Sequence, residues 1–210
     1  MTIKHPFLLI SQKFFSMDEF WIYLKLGLTH VLDVNAYDHV LYLIALVASY
    51  TFFQWKTVIW LVTTFTIGHT LSLVLAGYDI LQVNMAWVEF LIPVSIILAA
   101  IYNLTIAGRR HQDKKKILLY IVTLFFGLVH GFGFSSYFQM LASKEDQILT
   151  MLIEFALGIE LAQIIVVLIV LILGFIARRV LRVATRDWIL VTSSIVIGMA
   201  LPILFEKWIF

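Results

Sequence analysis

A chain of 210 residues that is 62% hydrophobic, 13% charged and +0.99 in mean hydropathy cannot cover a water-facing surface, which excludes an ordinary soluble domain. Its net charge of +2 gives no reason to expect a nucleic-acid or other acidic partner, and the lack of cysteine excludes disulfides and thiolate metal sites. Any bound metal then rests on imidazole, carboxylate, amide or water, a donor set that suits nickel, cobalt, zinc or manganese better than Cu(I).

The pattern predicts an all-α, polytopic membrane helix bundle with the lipid bilayer as its first partner. Residues 1–36 form an N-terminal interfacial segment and residues 37–210 the transmembrane bundle. Within the first segment, residues 14–28 read as an amphipathic helix at the outer interface, because Asp18, Glu19 and Lys25 interrupt it. Phe20, Trp21 and Leu24 would then face lipid or the bundle. A seventh span starting near Phe7 is the alternative. The apolar run 7–10 is too short for a secretory signal.

Six spans follow, at 37–53, 57–77, 86–106, 117–140, 148–176 and 188–208. A helix needs about 20 apolar residues to cross the hydrocarbon, so the first is short. Lys56, the Arg109–Lys116 cluster and the four arginines 178, 179, 182 and 186 fall in alternate connections. Basic connections stay cytoplasmic, which predicts a bacterial cytoplasmic (inner) membrane protein with both termini outside.

The spans carry ionisable residues at a confined depth. At 1.5 Å per residue, His69 lies ~12 Å, His130 ~15 Å and Glu160 ~18 Å below the outer surface, while Asp38, His39 and Glu89 sit near it. A charge at bilayer depth costs at least ~2.5 kcal/mol on insertion scales, so such residues face a partner or a polar cavity. One buried histidine is commonly structural, and an Asp at a helix start commonly caps it. Imidazoles and carboxylates in one layer point instead to a shared metal site, with Thr66, Thr70, Gln163 and Asn103 as supporting partners. Gly127, Gly131 and Gly133 beside His130 allow another backbone to approach closely.

Five stretches in order resemble the HupE/UreJ family of small bacterial membrane proteins: GLTHVLDVNAYDHVLYLIAL, TTFTIGHTLSL, VEFLIPVSI, FGLVHGFGFSS and FALGIELAQ. The resemblance covers roughly His30 to Gln163 and implies a nickel or cobalt permease of the kind associated with hydrogenase and urease systems. It implies His30, Asp38, His39, His69, Glu89, His130, Glu160 and Gln163 as the family positions in this chain. The His30–Asp38 gap is longer than the family's, which ranks His30 last among the ligands. Gly68 and Ala156 also depart from the family pattern.

The leading expectation is therefore binding and transport of a divalent ion (nickel, cobalt or zinc) through His30, His39, His69, His130, Asp38, Glu89 and Glu160. Asp38 and Glu89 would attract the ion at the outer mouth. Few polar residues mark the inner leaflet, Thr63 and Asn103 among them. The alternative is an intramembrane zinc-dependent hydrolase acting on a lipid or lipid-linked substrate, with Glu160 or Glu89 as base. An accessory or sensor subunit with a structural metal is the third. A homo-oligomer or a metalloenzyme-maturation partner is compatible with each.

Overall fold

The computed structural model describes residues 17–108, 116–143 and 147–209. The span start near Phe7, the basic residues 109–115 and the loop 144–146 lie outside the described residues. Among the described residues the chain is all helical: α1 (Met17–Val31), α2 (Asp38–Val47), α3 (Trp55–Gly77), α4 (Met85–Ile106), α5 (Lys116–Gly133), α6 (Ser135–Ala142), α7 (Ile148–Phe175) and α8 (Thr185–Glu206). Four helical stretches are long and apolar enough to cross a membrane, and a fifth exists if α5 and α6, bent by 60° after Gly133, count as one. Trp60, Ile121, Phe125, Leu168 and Phe205 point outward and are exposed, as lipid-facing side chains must be. Tyr42, Phe65, Phe138, Phe155 and Ile96 fill the interior.

The expected first span is the exception. α2 has only 10 residues, about 15 Å of helix against a hydrocarbon core of ~30 Å. It sits at the centre, against α4, α7 and α8. Backbone that leaves a helix inside a membrane protein must find partners within the protein. Three side chains supply them below α2. Asn103 Nδ2 donates to the Ala45 carbonyl (2.6 Å), Trp188 Nε1 to Ala48 (3.1 Å) and Arg178 Nη2 to Tyr50 (3.1 Å). Asn103 thus holds the end of a half-length helix rather than supporting an imidazole.

Glycines set the two closest helix pairs. A Cβ on Gly68 would lie 2.3 Å from the Leu124 carbonyl oxygen, one on Gly127 2.3 Å from that of Phe65, and one on Gly131 2.3 Å from that of His69. Only glycine permits this approach, and the spacing Gly127-x-x-x-Gly131 puts two of them on one face. Because 65 meets 127 and 69 meets 131, α3 and α5 run parallel. α1 and α7 meet through Gly27 and Gly158, where a Cβ would lie 2.2 Å from the Phe155 oxygen and 2.1 Å from that of Leu24, respectively. This pair is antiparallel. α1 therefore turns its buried Leu24–Gly27–Val31 stripe toward the bundle, while Trp21 and Ile22 are exposed.

Candidate metal centre

The glycine contacts carry two histidines into register. His69 follows Gly68 on α3, and His130 precedes Gly131 on α5. The first turn of α2 adds His39, and the last turn of α1 adds His30. Ligand nitrogens of His30, His39 and His69 all lie within 4.8 Å of one another. The His130 ring centroid is 5.2 Å from that of His39. His39, His69 and His130 are buried.

Two of the rings are fixed by their outer nitrogens. Asp38 Oδ1 accepts from His39 Nδ1 at 2.9 Å and from the His39 backbone N–H at 2.7 Å. The Phe126 carbonyl accepts from His130 Nδ1 at 2.9 Å. With Nδ1 donating, each Nε2 presents a lone pair. His69 has neither nitrogen bonded, and Nε2 of His30, His39 and His130 has no hydrogen-bond partner among the described residues. Buried polar atoms left this way are costly unless something binds them. A divalent ion that takes imidazole nitrogen at ~2.0–2.1 Å fits that demand, and the Asp38–His39 pair is a common orienting device for such a ligand.

Aromatic rings close the cluster. The Phe134 centroid is 4.2 Å from that of His30, Phe65 is 5.2 Å from His130, and Tyr42 is 5.3 Å from His130. Phe134 stacks on Phe155 at 5.2 Å. These rings were not singled out in the sequence, although Phe65 and Phe134 lie one helical turn from His69 and His130. At the α1 end of the cluster a depression of about 510 Å³ is lined by Thr29, His30, Asp33, Phe134 and Tyr137, so His30 is the imidazole that reaches the surface opening.

The other expected ligands lie elsewhere. Glu89 pairs with Lys207 Nζ at 3.2 Å, near the start of α4 and the end of α8, and is half-buried. Asp38 reaches the cluster only through His39. Glu160 lies inward of the imidazoles, where its Oε1 accepts from Thr63 Oγ1 at 2.6 Å and its Oε2 is bonded to Thr66 Oγ1. Thr66 and Gln163 join Glu160 and are not bonded to His69. Thr70 makes no hydrogen bond to an imidazole among the described residues. The three acids and four imidazoles foreseen as one site thus divide: imidazoles together with Asp38 behind one of them, Glu160 beneath, and Glu89 apart.

No curated protein and no solved structure matches the chain. The family described as HupE / UreJ protein matches residues 8–207, nearly the whole length. A multi-pass membrane bundle with a histidine cluster able to hold a transition metal is thus what the chain presents, and it belongs to the HupE/UreJ family.

Proposed function

We propose that this protein binds a divalent transition-metal ion, nickel or cobalt in preference and zinc by the same ligand chemistry, and passes it across the bacterial cytoplasmic membrane. One observation carries the reading: His30, His39 and His69, from separate helices, each bring a nitrogen within 4.8 Å of the others, and Nε2 of each has no hydrogen-bond partner among the described residues. The family points to nickel or cobalt handling, and borderline imidazole donors suit those ions. His30 receives the ion from the outer depression, His39 and His69 complete its coordination, and His130 stands beside them as a further donor. The basic connections orient this end of the bundle away from the cytoplasm.

The hydrolase alternative needs a carboxylate base beside the metal. Glu89 is ion-paired at the surface, Glu160 is bonded to two threonines, and Asp38 is engaged by His39. Transport therefore uses what the site offers, and each of these three carboxylates is already engaged away from the open imidazole nitrogens. The test is uptake of radioactive nickel or cobalt into proteoliposomes by the wild type and by His69→Ala. Loss of uptake with a folded protein supports the reading; uptake at the wild-type rate contradicts it.

A further inference from the structure

We infer that Thr63, Thr66, Glu160 and Gln163 form a second cation station, made of oxygen alone, on which the ion rests after leaving the imidazoles. The inference depends on the transport reading above and adds to it a defined inward step.

The geometry starts from α3, where His69, Thr66 and Thr63 follow one another at three-residue intervals, about 4.5 Å per step along the axis. α7 runs antiparallel beside it. His69 is next to Phe155, Thr66 next to Glu160 and Gln163, and Thr63 next to Glu160. The four residues therefore lie directly inward of the imidazoles along the α3–α7 seam.

Their hydrogen bonding is short of positive charge. Thr66 Oγ1 has a single proton, yet three oxygens surround it: Val62 O at 3.3 Å, Glu160 Oε2, and Gln163 Oε1 at 2.9 Å. One proton cannot lie between all of them, so with Glu160 as a carboxylate lone pairs face each other until a proton or a cation comes between them. Gln163 is fully buried, and its Nε2 has no partner among the described residues. Turning that amide over would give Thr66 a donor but would carry Oε1 to the place where Nε2 now finds none. No Lys or Arg is paired with Glu160 among the described residues. A carboxylate at bilayer depth without a cation is expensive, and a passing cation held by Glu160, Thr63, Thr66 and Gln163 Oε1 offsets that charge and separates the crowded oxygens, while the Gln163 amide N–H groups stay outside its coordination.

The chemistry also sets an order. Nickel and cobalt hold imidazole nitrogen more tightly than a site with one carboxylate and neutral oxygens. A strong station followed by a weaker one lets an ion enter and still leave, as permeation requires.

The test uses Co²⁺ with purified full-length protein, in equilibrium binding and in proteoliposome uptake. The wild type is expected to bind one Co²⁺ tightly, with the spectrum of a nitrogen-rich site, and a second weakly. Glu160→Gln should keep the tight ion, lose the weak one and lose uptake. Thr63→Val, which removes one oxygen and leaves the carboxylate, should weaken the second ion, and answers the question if Glu160→Gln does not fold. Wild-type uptake with both ions retained in either folded variant overturns the second station while leaving the histidine site intact. Absence of the tight ion from the wild type is a different result, and removes the transport reading itself.

Discussion

The imidazole cluster and the Glu89 end of the bundle both carry ionisable side chains on apolar helices, and the fold treats them in opposite ways. At the cluster, backbones pressed together by Gly68, Gly127 and Gly131 hold rings whose Nε2 atoms have no hydrogen-bond partner among the described residues. At the other end, Glu89 finds Lys207 at 3.2 Å and stays half-buried, in reach of solvent. A partly solvent-exposed pair of that kind contributes ~0–1 kcal/mol and demands no ligand. Depth in the membrane therefore does not make a site; convergence without partners does.

The largest effect that would break this contrast is at His39 and His69. Replacing either with Ala should abolish stoichiometric metal binding, measured by calorimetry with Ni²⁺, because each supplies a buried nitrogen of the close trio. Next is Gly131→Ala, whose Cβ would sit 2.0 Å from Ser72 Oγ and 2.3 Å from the His69 carbonyl oxygen. Such overpacking should destabilise by about 1–3 kcal/mol, seen as a lowered thermal midpoint in detergent, and should weaken metal binding with it. Asp38→Asn keeps a hydrogen-bond acceptor for His39 but removes the charge, and should lower metal affinity about tenfold without unfolding the protein. His130→Ala should cost less than His69→Ala, since His130 lies just outside the trio. Glu89→Gln should leave binding and uptake within about twofold, because only a partly solvent-exposed pair away from the imidazoles is lost. A loss there as large as at His69 would erase the distinction between the two regions.

The limits of the sequence follow the same line. Long apolar stretches and the repeated glycines make the helical bundle and the close helix pair readable. Depth along a helix is one coordinate; the direction a side chain faces around it depends on neighbours far away in the chain. That is why Glu89 and Glu160 were grouped with the imidazoles. His30 was ranked last because its spacing departs from the family's, yet α1 packs antiparallel on α7 through Gly27 and Gly158 and delivers its ring to the trio. The half-length of α2 was also hidden. Its end is stabilised by Asn103 on α4, Trp188 on α8 and Arg178 just after α7, which no local pattern announces.

The inner half offers a second contrast of smaller expected effect. A cavity of about 390 Å³ between α2, α4 and α5 is lined by Tyr42, Tyr50, Tyr102, Asn103 and Thr123 among others. It lies beside the His130 end of the cluster, whereas the Glu160 group lies beneath His69. Thr123→Val should leave cobalt uptake close to wild type if ions move along the α3–α7 seam. A loss equal to that of Glu160→Gln would shift the path to the cavity.

X-ray absorption spectroscopy on protein loaded with one equivalent of Ni²⁺ tests the central claim most directly. The account predicts outer-shell scattering from three or four imidazole rings, reduced by one ring in His30→Ala. A nickel bound by oxygen alone, or a spectrum identical in wild type and in His39→Ala and His69→Ala, would contradict it.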